Sequence, residues 1–196
     1  PNHADYTYES KYGNRDYNGG GRSSIRITAA MVAAGNIAEQ IINSIYKNVS
    51  ITAFVKAIGD ARIENVADYF TKTKKQIDKY ITRIPDTTIN RLAETNIAAC
   101  LKQGDTMGGE ITCVINNMPV GIGEPIFEKL PAQLAQAMLS INSVKGFEYG
   151  TGFASARAKG SAHNDAFSTN AKKQIITKTN NSGGIQGGIS NGMPIY

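Results

Sequence analysis

The chain has 196 residues, 41% of them hydrophobic and 19% charged, a balance that suits a soluble globular domain or a large piece of one. Its formal net charge of +5 fits an anionic ligand, either nucleic acid or a phosphorylated small molecule. Two cysteines without C-x-x-C spacing (Cys100, Cys113) and two histidines (His3, His163) argue against a disulfide or a zinc site.

No apolar run approaches bilayer-spanning length and no charged-then-apolar leader is read, so no membrane partner and a cytoplasmic address are expected. Nucleic-acid binding needs a basic stripe interleaved with exposed aromatics. Lysines and arginines here are scattered, and the small groups Lys72, Lys74, Lys75 and Lys172, Lys173 read as solvated faces. The chain begins at Pro1 without Met and ends at Tyr196 just after a glycine-rich stretch, so it reads as an excised middle.

Residues 2–17 hold His3, Asp5, Tyr6, Tyr8, Tyr12, Arg15, Asp16 and Tyr17, a polar and aromatic density that suits a buried hydrogen-bonding cluster or a ligand wall. Next come Gly19, Gly20 and Gly21, then Arg22, Ser23, Ser24, Ile25 and Arg26. Glycines let backbone approach a ligand, serines cap a helix, and amides at that helix start attract anions. Arg22 and Arg26, at i and i+4, would leave one helix face and hold phosphate or carboxylate oxygens. An ordinary glycine loop and a capped helix with solvated arginines is the competing reading.

Apolar spacing at Ile25, Ala29, Val32, Ala33, Ile37, Ile41 and Ile45 predicts a long, well-buried helix from Ser23 to about Tyr46. A strand is predicted from Val49 to about Ile58, ended by Gly59. Residues 60–84 are mixed and say nothing of chemistry. Thr88–Lys102 reads as an amphipathic helix stopped by Gly104, and Gly109–Asn116 as a strand. A Pro- and Gly-rich loop, Met118–Pro125, leads to a helix from Pro131 to about Ile141 and a strand from Ser143 to about Tyr149. This alternation alone would suggest α/β. Residues 157–174 read as a mobile surface loop with a solvated His163. Five of residues 183–192 are glycine, a spacing that lets backbone touch a flat or charged ligand.

Taken together, several stretches resemble the chorismate synthase family. They are His3-Ala4-Asp5-Tyr6-Thr7-Tyr8, Lys11-Tyr12-Gly13, Arg15-Asp16-Tyr17, Gly19-Gly20-Gly21-Arg22-Ser23-Ser24, Gly121-Ile122-Gly123-Glu124-Pro125, Ser140-Ile141-Asn142 with Val144-Lys145-Gly146, and Asn181 through Ser190. The resemblance covers residues 1–196 as one partial domain.

It implies an α+β fold, a β-α-β sandwich with central helices between antiparallel sheets. It also implies a homotetramer and conversion of 5-enolpyruvylshikimate 3-phosphate to chorismate and phosphate by anti-1,4-elimination. That reaction requires reduced FMN (FMNH2), drawn from NADPH by the protein's own or a separate reductase, with no net redox change. The flavin lends electron density to phosphate departure, with proton removal at or near its N5 as the usual proposal.

Residue by residue, the resemblance makes His3 the catalytic histidine beside the flavin. Arg22, Ser23 and Ser24 match one FMN-contacting segment, Asn142 and Ser143 a second, and Gly187 a third. Arg26 matches an arginine facing the anionic substrate. Departures from the family pattern are Ile25 for Ala, Ile27 for Glu, Met31 where Arg is common, and Ser143 where Ala is common. The family's Gly-Glu-Ser-His-Gly segment and its C-terminal Arg- and Asp-bearing segment are not among these residues, so the chain alone is expected to be inactive and to bind FMN weakly if at all. A non-catalytic phosphate- or nucleotide-binding module and a basic nucleic-acid-binding domain are the alternatives. The first lacks a P-loop Lys and the Gly-x-Gly-x-x-Gly context.

Overall fold

The structure, a computed structural model, describes residues 3–196; Pro1 and Asn2, at the expected opening of the chain and of the tyrosine-rich segment, lie outside the described residues. In chain order it has α1 (Asp5–Tyr12), α2 (Thr28–Ile45), β1 (Ser50–Ile58), β2 (Ala61–Arg62), α3 (Lys74–Ile77), α4 (Thr87–Lys102), β3 (Gly109–Asn116), α5 (Leu130–Leu139), α6 (Gly160–His163), β4 (Phe167–Thr169), β5 (Ile175–Thr177), β6 (Ile185–Gln186) and β7 (Ile189–Ser190). Every strand pairing in these sheets is antiparallel, so the arrangement is α+β and not the parallel sheet that alternation suggested.

The main sheet runs β2-β1-β3, and β1 is long because Ser50–Ile58 is rich in β-branched and aromatic residues. A bulge at Lys56 separates the Val55 and Ala57 pairings with β3. It lets Lys56 and Arg62 both reach Glu110 across the sheet, and the Arg62 hydrogen bond leads the causes that hold Glu110 down to about 2. On one side, α4 starts at Asp86, whose carboxylate accepts the Ile89 amide at 2.8 Å and the Tyr69 hydroxyl at 3.0 Å. Burial and that bond push Tyr69 up to about 12.

Ala93 of α4 then packs with Phe54, Ala61, Ile63, Ile77, Ile84 and Val114, all at most 4% exposed. Residues 60–84, uninformative in sequence, therefore supply several of the most buried side chains of this core, Ile77 and Ile84 among them. A second cluster joins Val49, Ile115, Ile185 and Ile195, with Leu130 and Leu134 of α5 and Ile42 of α2 against it. Backbone bonds between Ile115 and Ile195, at 2.8 and 2.9 Å, tie the chain's last residues to β3.

Four expectations are corrected. The helix predicted from Ser23 begins at Thr28, after two 3-10 turns at Gly21–Ser23 and Ile25–Ile27 split by Ser24, whose ψ of 139° is extended. It is not buried either: none of the 18 residues of α2 is buried, and Val32 is 73% and Ile45 64% exposed, because little of α2 besides Ile42 packs against the core of the described residues. No strand forms over residues 143–149, where Ser143 takes φ +68° in the turn after α5. Residues 157–174 are not a featureless loop; they hold α6 and, with β5, half of the hairpin β4–β5.

Candidate functional site

The tyrosine-rich segment and the glycine turn enclose a cleft of about 590 Å3, lined among others by His3, Asp5, Asp16, Gly20, Ser23 and Ser24. α1 buries none of its residues, so the segment is a wall and not a buried cluster. It closes on itself through Arg15, which donates to Asp5 at 2.6 Å and sits 4.7 Å over the Tyr17 ring. Asp16 Oδ1 accepts the Asn18 amide at 2.7 Å, starting the turn. Gly20 takes φ +81°, which favours glycine, and a Cβ there would sit 2.8 Å from Ser23 Oγ, which donates to the Gly20 carbonyl at 2.6 Å.

The two arginines do not share a helix face. Arg22, exposed in the first 3-10 turn, has no hydrogen-bond or ion-pair partner among the described residues. Arg26 turns back: Nη2 donates to the Gly19 carbonyl at 3.0 Å and Nε to Ser24 Oγ at 3.1 Å. Ser24 Oγ also accepts the Arg26 amide at 3.3 Å, the cap expected of that serine. Each 3-10 turn opens with N–H groups that its own hydrogen bonds do not use, the donor pattern that suits an anion. Ile25, one of the family departures, is 63% exposed on the cleft rim.

From the far end of α5 comes Asn142, whose Nδ2 donates to the Ser23 carbonyl at 3.1 Å. Its Oδ1 is the buried side-chain acceptor without a partner among the described residues. Two segments 119 residues apart in sequence, both matched to FMN contacts by resemblance, thus meet at one carbonyl. Ser143, beside Asn142, is exposed.

Gly187 lies elsewhere. With Gly188, at φ +62° and +89°, it makes the two-residue turn between β6 and β7, and a Cβ at Gly187 would meet nothing within 4 Å. The turn is docked on the start of α5, where the Leu130 amide donates to the Gly188 carbonyl at 2.8 Å. Gly187 and Asn142 therefore flank opposite ends of a ten-residue helix, roughly 15 Å long at 1.5 Å per residue. The structure brings His3, Ser23, Ser24 and Asn142 together and sets Gly187 one helix length away.

Sequence reasoning missed the residues that hold this second wall. Asp165, 4% exposed, accepts from Thr179 Oγ1 (2.6 Å), the Asn181 amide (2.8 Å), and the Ser182 amide and hydroxyl (both 2.7 Å). Burial alone would push its carboxyl up; those four donors overcome it and hold it down at about 2. His163 is half-buried, not solvated: its Nε2 lies 2.7 Å from Thr151 Oγ1, and its carbonyl accepts Asn181 Nδ2 at 3.0 Å. No local sequence signal marks Asp165, whose partners lie 14 to 17 residues away.

Comparison with known proteins identifies the family and the fold. The family model described as chorismate synthase matches residues 1–196. The chain is 54% identical over 196 residues to the chorismate synthase of Christiangramia forsetii and 53% identical to that of Flavobacterium psychrophilum, covering 100% of this chain and 52% of each relative. It also superposes on a crystal structure of chorismate synthase with a TM-score of 0.86 at 32% identity, over 98% of this chain and 60% of that one. The chain spans about half the length of the curated relatives it matches. On a match that runs its whole length, with the same fold, the chain belongs to the chorismate synthase family.

Proposed function

We propose that the chain forms two walls of a chorismate synthase active site, in a protein that eliminates phosphate from 5-enolpyruvylshikimate 3-phosphate to give chorismate. The observation that carries the reading is the Asn142–Ser23 junction, which joins two separate segments and leaves the Asn142 Oδ1 acceptor buried beside the Ser23–Ser24 turn. An unpartnered acceptor next to serine hydroxyls, turn amides and an unpaired arginine fits a flavin nucleotide, which offers N–H donors on its ring and an anionic phosphate. Arg22, Ser23, Ser24, Asn142 and Ser143 would hold FMN at one end of α5, and Gly187 at the other.

Bound in its reduced form, FMN supplies electron density to the departing phosphate. The chain's own residues bind and orient around it. The Arg22 and Arg26 guanidiniums give the anionic substrate a positive edge, and the His3 imidazole holds or moves a proton within the same cleft. The glycine turn offers its amides without side chains in the way.

The homotetramer, the cytoplasmic location and the use of NADPH-derived electrons belong to the same reading. No helix among the described residues is long and apolar enough to cross a membrane. The test is chorismate formation from the phosphorylated enolpyruvyl substrate, measured anaerobically with and without reduced FMN on a protein of the relatives' full length carrying this chain. Product only with reduced FMN is expected. No product under reducing conditions, or flavin-independent binding of nucleic acid that falls steeply with salt, would overturn it.

A further inference from the structure

The buried carboxylate of Asp165 is not among the residues that line the His3 cleft, yet the entrance to the glycine wall is built on it. Among the described residues Asp165 forms no ion pair; neutral donors from Thr179, Asn181 and Ser182 satisfy it. Those donors all lie within residues 179–182, at the entrance to the glycine stretch, so one side chain gathers that entrance, alongside Thr151, whose amide donates to the Asn181 carbonyl at 2.9 Å, and the His163 carbonyl.

The first two glycines beyond Ser182 have no slack. Gly183 and Gly184 are buried, and a Cβ on Gly184 would lie 2.7 Å from the Met193 and Pro194 carbonyl oxygens. The Gly184 amide is held by Asn180 Oδ1 at 2.9 Å, and Asn180 Nδ2 donates to the Pro194 carbonyl at 2.8 Å. Ile185, 4% exposed, then enters the second core cluster, and Gly187 comes two residues later. The hairpin itself has only two residue pairs, Ile185↔Ser190 and Gln186↔Ile189, too few to stand alone. Its position is set from outside, by Ser190 and Gly188 on the leaving side and by Asp165 on the entering side. Three buried residues, Gly183, Gly184 and Ile185, link Ser182 to the start of that turn.

We infer that Asp165 is a positioning residue of the flavin site: by fixing Asn181 and Ser182 it sets where the Gly187–Gly188 turn meets the cofactor. This rests on the reading that the turn contacts FMN. An Asp165→Asn side chain would turn an NH2 toward the Ser182 or Asn181 donors, so the loop must move.

The experiment is titration of the full-length protein with FMN by flavin fluorescence, alongside steady-state kinetics and thermal unfolding, for the wild type, Asp165→Asn, Asp165→Glu and Ser182→Ala. Loss of a hydrogen bond to a charged group corresponds to about ten- to a hundredfold in affinity. Asp165→Asn is expected to raise the FMN Kd by about that factor while the substrate KM at saturating FMN stays within about twofold. Ser182→Ala, which keeps the amide, gives a smaller rise in the same direction, and Asp165→Glu recovers part of the loss. A purely structural role would move KM and FMN affinity together, with no recovery by Glu. An Asp165→Asn protein that folds and binds FMN like the wild type overturns the inference; if that variant does not fold, an unchanged FMN Kd in Ser182→Ala overturns it. A wild type that binds no FMN at all instead removes the functional reading, and this inference with it.

Discussion

The glycine turn at Gly19–Gly21 and the glycine stretch at Gly183–Gly188 are alike in composition and opposite in construction. The first is mostly local and exposed: apart from the Asn142 bond to the Ser23 carbonyl, its bonds come from Asp16, Ser23, Ser24 and Arg26, all within ten residues, and no residue of the helix it leads into, α2, is fully buried. The second is tertiary: Asp165, Leu130 and, through Asn180, Pro194 hold it from three separate places, and it delivers Ile185 to a core. A wall built locally can present cations and a histidine without the rest of the fold depending on it. A wall built from distant contacts has its geometry fixed but tolerates little change. On the proposed function, chemistry is concentrated at the first wall, and stability at the second.

The largest effect that would sharpen this separation is on turnover. His3→Ala in the full-length protein is expected to lower kcat by about 10²–10⁴-fold, the usual worth of a general acid–base group, with FMN affinity and melting temperature nearly unchanged. An unchanged rate removes His3 from the mechanism.

Stability should respond at the second wall. Gly184→Ala places a Cβ against two carbonyls at φ +76° and is expected to cost roughly 3 kcal/mol by chemical denaturation. Gly20→Ala, also at positive φ but facing the movable Ser23 hydroxyl, should cost only about 1 kcal/mol. Equal costs would break the comparison.

Acid should loosen the second wall first. The Asp165 carboxyl falls from an ordinary 3.8 to about 2 in the fold, so its contribution is present above about pH 4 and is lost as pH falls through 2. That contribution is on the order of 2 kcal/mol. Amide exchange at Asn181 and Ser182 should accelerate across that window, and an Asp165→Asn protein should show no such step.

The smallest expected change is at Arg26. Because its guanidinium already bonds the Gly19 carbonyl in an exposed turn, Arg26→Ala should cost under about 1 kcal/mol in stability while raising the substrate KM. A normal KM would reduce Arg26 to a brace for the glycine turn.

Much of the main sheet and its helices was legible in the sequence. Strands β1 and β3 and helices α4 and α5 fall within two residues of the periodicity reading, and Gly59 and Gly104, at φ +58° and +68°, stop their elements as expected. These features are decided within one helix turn or strand length. Burial of α2 was misjudged because apolar spacing marks a face but not what covers it. The work of Asp165 was invisible because its partners lie 14 to 17 residues away, the docking of hairpin β6–β7 because Ser190 bonds residues 68 and 71 positions away, and the Asn142–Ser23 junction because its partners are 119 apart. In the site, His3, Ser23, Ser24 and Asn142 came from resemblance to a family, and the structure adds their meeting. Arg26 shows the limit: an i,i+4 spacing predicts a shared face only if the segment is α-helical, and here Ser24 breaks it.

The central claim is that the two walls, at the two ends of α5, hold one flavin. The most direct measurement is a crystal structure of the full-length protein with FMN bound. One FMN in contact with Ser23 and Asn142 at one end and with the Gly187–Gly188 turn at the other is the predicted result. Flavin density touching only one wall, or lying away from both, would contradict it.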